Sequence, residues 1–131
     1  MSEGGMWKSI RPVLKPLDPV RIESPIVPGI PDVNYNLGWI ELKYMPRWPV
    51  KGGPLRIDHY TKEQRDWAIQ RKRAGGKVFL LLKVGRNEWL LFDGVVAALS
   101  IGKLNREQLY NAVIARWTRT PRTAEILPCL T

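Results

Sequence analysis

At 131 residues the chain suits one domain with a buried core and leaves no room for a second. Hydrophobic residues make up 44% and charged residues 25%, which argues against disorder, and a lone cysteine, Cys129, excludes an internal disulfide framework. The 21 Lys and Arg against 12 Asp and Glu give a net charge of +9, which favours a polyanionic partner such as nucleic acid.

Residues 1–19 carry Pro12, Pro16 and Pro19, and Pro25, Pro28 and Pro31 follow, so an extended arm without a long helix is expected. A short strand is predicted near Val20–Glu23. From Gly29 to Tyr44 the pattern is a β-hairpin in which Trp39, Ile40, Leu42 and Tyr44 form an apolar run. Strand alternation puts Glu41 and Lys43 on one face and Ile40 and Leu42 on the other. With Asn36–Leu37 as a two-residue loop, Tyr35 pairs with Gly38 and Asp32 with Glu41, whereas a bulge at Gly38 would shift that register by one.

Residues 45–60 read as a long connection punctuated by Pro and Gly, of the kind that is often functional. Thr61-Lys62-Glu63-Gln64 has capping-box spacing and predicts a helix over 61–74, ended by Gly75–Gly76. Lys77–Val84 is a strand covered on both faces, and Glu88–Phe92 returns from it across a Gly85–Asn87 turn. A short helix is expected over Gly94–Leu99, and Asn105 caps another that runs through Trp117. Residues 118–131, with Pro121 and Pro128, are expected to be a tail, leaving 20–117 as the folded domain. The order of elements makes an α/β or α+β fold around a central mixed β-sheet.

Two carboxylates, Asp32 and Glu41, with the Leu42 backbone carbonyl between them and Lys43, supply hard oxygen ligands for Mg²⁺ or Mn²⁺. Such an ion neutralises phosphate charge and acidifies water, and Lys43 can orient the attacking water. Pro31-Asp32 followed by Glu41-Leu42-Lys43 on an apolar strand resembles the PD-(D/E)XK nuclease superfamily. Gln64, opening a helix that leads to an apolar strand, is similar to its virus-type replication-repair (VRR-NUC) nucleases and small Holliday junction resolvases.

The resemblance implies a restriction-endonuclease-like core and a Mg²⁺-dependent endodeoxyribonuclease acting on branched DNA in recombination or repair. It implies metal binding by Asp32 and Glu41 and a supporting role for Gln64, which competes with its capping role. Family members often carry a further glutamate on an upstream helix. The prolines leave no space for one, so Glu23 is the nearest upstream acid, either as a second-metal ligand or simply exposed.

Arg47, Lys51, Arg56, Lys62 and Arg65 are the candidate DNA contacts, with Trp48 and Tyr60 either stacking on bases or packing in the core. Paired cuts at a junction call for a homodimer, with Val95, Val96, Leu99 and Ile101 as its expected face. No membrane segment or signal peptide is evident, so the expected setting is the cytoplasm of a bacterial or phage-infected cell. A nicking or flap nuclease of the same fold and a non-catalytic nucleic-acid-binding module are the alternatives. The single histidine, His59, leaves little for a His-based metal cluster or a Ser-His-Asp triad.

Overall fold

The structure, a computed structural model, describes residues 3–24 and 26–131; Met1, Ser2 and Pro25, part of the expected proline-rich segment, lie outside the described residues. The chain order is α1 (Glu3–Ile10), a 3₁₀ turn (Lys15–Leu17), β1 (Val20–Arg21), β2 (Val33–Tyr35), β3 (Gly38–Met45) and α2 (Lys62–Arg73). There follow β4 (Lys77–Val84), β5 (Glu88–Asp93), α3 (Gly94–Ser100), α4 (Arg106–Ala112), β6 (Ala115–Trp117) and α5 (Thr123–Leu130). The six strands form one sheet in the order β1 to β6, and β3 and β4 run parallel while every other pair is antiparallel. The expected mixed sheet flanked by helices is therefore present.

Both faces of the sheet are covered. Ile40, Leu42, Phe79, Leu81 and Leu91 point to one face and meet Met6, Ile10, Leu14, Leu17, Ile126 and Leu130. Leu80, Leu82, Leu90 and Phe92 point to the other and meet Leu55, Ile57, Tyr60, Ala97, Ile101 and Leu109. This double cover is why β4 is apolar almost throughout.

Three expectations need correction. The arm is a helix, because the first proline, Pro12, lies beyond the end of α1 at Ile10. Met6, Ile10 and Leu14 recur every four residues, fall on one stripe and are fully buried, which stabilises the segment by about 1.5–3 kcal/mol for each side chain. The helix after Asn105 stops at Ala112 instead of running to Trp117. Val113 turns to extended backbone there, and Ala115–Trp117 pairs with β5, giving its outer edge a partner.

The expected tail is helix α5. It accommodates Pro128 in its interior and buries Ile126 and Leu130, while Tyr35 donates its hydroxyl to the Leu130 carbonyl at 2.7 Å. No helix among the described residues is long and apolar enough to cross a membrane.

Candidate active site

The β2–β3 hairpin has the unbulged register, Tyr35 with Gly38, Asn34 with Trp39 and Val33 with Ile40, so that Asp32 stands next opposite Glu41. Ile40 and Leu42 go to the α1 face of the sheet and Glu41 and Lys43 to the other. The next ladder position opposite Leu42 is Pro31, which has no N–H. Asp32 fills the gap in part: its Oδ2 accepts from the Leu42 amide at 2.9 Å. A strand residue's amide and carbonyl leave on the same edge, so the Leu42 carbonyl faces the Asp32 side with no donor available from position 31.

Arg21 balances Asp32, with Nη1 2.8 Å from Oδ1. Lys43 is 3% exposed; its Nζ donates to the His59 carbonyl at 2.9 Å and lies 3.8 Å from Glu41 Oε1. Glu41 is 5% exposed, and Oε1 has no hydrogen-bond partner. Its other contact is a carboxyl–carboxyl hydrogen bond with Asp32.

Burial drives the Glu41 carboxyl far above the ordinary carboxylate range. The hydrogen bond to Asp32 and its charge push the same way, Glu3 adds to the effect, and Lys43 opposes it. Asp32 ends below its ordinary value: burial raises it, but hydrogen bonds from Glu41, Arg21 and the Leu42 amide outweigh that. Burial and the mutual repulsion of the two carboxylates therefore favour a pair that shares one proton over a pair ionised twice.

A buried carboxylate oxygen left without a donor beside a second carboxylate is costly unless a proton or a cation compensates it. Among the described residues no group of three or more His, Cys, Asp or Glu side chains is placed to hold a metal. Asp32, Glu41 and the Leu42 carbonyl are hard oxygens, and their chemistry fits a small divalent cation.

Glu3 and Arg21 were not legible as site residues. Glu3, at the start of α1, has Oε1 2.9 Å from His59 Nε2 and raises Glu41 through its charge. An upstream helix thus carries a glutamate at the site after all. Glu23 is exposed, and no contact joins it to the pair among the described residues.

Gln64 spends its side-chain oxygen on the Thr61 amide at 2.9 Å, completing the capping box of α2. That helix start sits close to the acid segment: a Cβ on Gly29, whose φ is +87°, would lie 2.4 Å from the Glu63 carbonyl oxygen.

Arg47, Lys51 and Arg56 are exposed, as a DNA contact requires. Lys62 is exposed and pairs with Asp66 at 2.6 Å. Arg65 does not face solvent freely: Nη1 donates to the Ala98 and Ile101 carbonyls at 2.7 and 2.9 Å, and the guanidinium covers the Tyr60 ring at 4.1 Å, so it braces α2 against α3. Tyr60 is in the core. Ile101 is buried too, which removes it from any dimer face, whereas Leu99 is 57% exposed. A groove of about 690 Å³ lies along Trp7, Lys8, Arg11 and Lys15 and includes neither Asp32 nor Glu41.

No protein-family model and no curated protein matches the chain. Among solved structures it is similar to Hjc, a Holliday junction resolvase from the archaeal hyperthermophile Archaeoglobus fulgidus. The TM-score is 0.58 at 18% identity, covering 95% of this chain and 98% of that one. At that identity the likeness shows the fold alone, which is restriction-endonuclease-like. Residues outside 20–117 are about a quarter of the chain, so a match over 95% includes most of them.

Proposed function

We propose that this chain is a metal-dependent DNA endonuclease that cuts branched DNA, with the four-way junction as its preferred substrate. The observation that carries this reading is the buried Asp32–Glu41 pair, with an unpartnered Glu41 oxygen 3.8 Å from Lys43, on a resolvase-like fold.

Asp32, Glu41 and the Leu42 carbonyl would hold one Mg²⁺ or Mn²⁺, and Glu3 would reinforce the negative field from α1. The ion supplies charge neutralisation at the phosphate and lowers the pKa of bound water. Glu41 would have to be ionised to serve as a ligand. Lys43, steadied by the His59 carbonyl, holds the attacking water by hydrogen bond and offsets the charge gathering on the phosphate oxygens. Gln64 contributes by fixing where α2 begins beside the Gly29–Asp32 segment. Symmetric resolution needs two such sites, hence a homodimer on junction DNA.

The test compares wild type, Asp32→Ala and Lys43→Ala on four-way junction, flap, single-stranded and duplex DNA with Mg²⁺. Cleavage of the junction by wild type and a loss of about a hundredfold or more in each variant is expected. Equal activity in all three would remove the site assignment. Preference for a flap or a nick would reassign the substrate, and DNA binding without cleavage by wild type would leave a non-catalytic binding module.

A further inference from the structure

Glu88, at the start of β5, lies on the same face of the sheet as Glu41 and Lys43 and gathers an unusual set of donors. Trp48 Nε1 donates to Oε1 at 2.7 Å, and Arg116 Nε donates to Oε2 at 2.8 Å. The Tyr110 hydroxyl donates to Oε2 as well, and Arg106 Nη2 lies 3.9 Å from Oε1. Burial raises Glu88, but the hydrogen bonds from Tyr110, Trp48 and Arg116 outweigh it and keep the carboxylate ionised.

The two arginines are thereby held on aromatic faces. The Arg116 guanidinium sits 3.9 Å from the Tyr110 ring centroid, and that of Arg106 sits 5.5 Å from Tyr110 and 5.3 Å from Trp48. Trp48 and Tyr110 themselves meet edge to face at 5.6 Å. Arg116 engages Glu88 through Nε and Arg106 engages the Tyr110 hydroxyl through Nε at 2.6 Å. Among the described residues no side chain or carbonyl accepts a hydrogen bond from the Nη atoms of either. Their side chains remain 38% and 55% exposed.

One carboxylate against two guanidiniums leaves the cluster net positive, and exposed Arg47 on the adjoining loop adds to it. Stacking and the shared anchor have already removed much of the rotamer freedom that two free arginines would lose on binding. An outward edge of immobilised guanidinium donors is suited to phosphate oxygens. Glu88 pairs with Val84, which pairs with Met45, so the cluster starts two strands across and four residues along from Glu41. At strand spacings that is about 10 Å by about 13 Å, or roughly 16 Å in all. Duplex DNA covers that in about five base pairs.

We propose that Arg106 and Arg116, mounted on Tyr110 and Trp48 by Glu88, form a second phosphate-binding surface that grips the DNA arm about five base pairs from the cleaved bond. The surface rests on the nuclease reading for its substrate, and it is a binding surface with no part in the chemistry.

The test is DNA binding by the full chain in EDTA, which stops cleavage, measured by fluorescence anisotropy on four-way junction DNA over a range of KCl. Each phosphate contact contributes about 0.9 to the slope of log affinity against log salt. Arg106→Gln with Arg116→Gln should flatten the slope by about 1–2, and Arg106→Lys with Arg116→Lys should restore it. Should the double Gln variant unfold, Arg116→Gln alone should flatten the slope by about 1.

A folded Gln variant with the wild-type slope would overturn the surface, since a purely structural cluster would alter melting and not salt dependence. Wild type that binds no DNA would overturn both the surface and the nuclease reading. Wild type that binds with the expected slopes but never cleaves would leave the surface standing and sink the nuclease alone.

Discussion

Glu41→Gln is the most direct probe of the proton shared by the acid pair. Glutamine keeps the shape of the protonated side chain and offers Asp32 an N–H, while removing any need to bury a charge. The ordinary value for Glu41 is 4.5, and in the fold burial and Asp32 lift it far above that. Between those two values the folded chain holds one proton more than the unfolded chain. This residue's contribution to stability is therefore fully present at low pH and falls as pH rises, by about 1.4 kcal/mol per pH unit.

From pH 6 to pH 8 the loss is about 3 kcal/mol, which for a chain of this length moves the thermal midpoint by roughly 10 °C. The variant has no such proton to lose. Its melting advantage over wild type, followed by circular dichroism in EDTA, should widen steadily across that range. Asp32, held below its ordinary value, is ionised throughout and cancels in the comparison. A cation that displaces the proton should stabilise wild type more at pH 8 than at pH 6. A constant difference between the proteins at every pH would refute the assignment, and a variant destabilised at every pH would show Glu41 ionised and dependent on Lys43.

The N-terminal helix is core: Leu14→Ala should cost about 2–5 kcal/mol in urea unfolding, against under about 0.5 kcal/mol for the exposed Leu99→Ala. Equal costs would return residues 3–17 to the status of an arm. Glu3→Gln should lower cleavage about ten- to a hundredfold with little change in melting, while Glu23→Gln leaves it unchanged. The reverse order would restore Glu23 to the site. Pro31→Ala supplies the missing N–H opposite Leu42, so Mn²⁺ affinity measured by calorimetry should fall about tenfold as the carbonyl is drawn into the ladder. Unchanged affinity would remove that carbonyl from the ligand set.

The acid pair and Lys43 were legible because everything that positions them is local. Alternation along β3 separates Glu41 and Lys43 from Ile40 and Leu42, and the Asn36–Leu37 loop sets the register that brings Asp32 across. Glu3 was hidden for the opposite reason: it meets His59 from far away in the sequence, and Gly4–Gly5 weakens any helix signal beside it. Arg65 and Lys62 look alike in sequence. Only packing of α2 against α3 shows that the first is spent on the Ala98 and Ile101 carbonyls. The strand β6 was lost because a capped helix start at Asn105 says nothing about where the helix ends, and its end is decided by the open edge of β5.

The candidate site is a place where the sheet leaves its own hydrogen bonding unfinished. Strand β3 pairs along its length with β4 on one side, but on the other the ladder with β2 stops at Val33 because Pro31 cannot donate. The amide of Leu42 is satisfied by a carboxylate, its carbonyl has no donor opposite, and the neighbouring Glu41 oxygen is buried without one. Two oxygens, the Leu42 carbonyl and Glu41 Oε1, are thus held by a rigid strand pair without a donor, with the Asp32 carboxylate beside them, which is an arrangement that a small cation would complete at little reorganisation cost. The basic groups that would draw a phosphate backbone toward it are carried by other elements, Arg21 on β1, the 46–60 connection, α4 and β6. Chemistry here is set by a local gap in one ladder, and substrate shape by how far apart the fold places the charges around it.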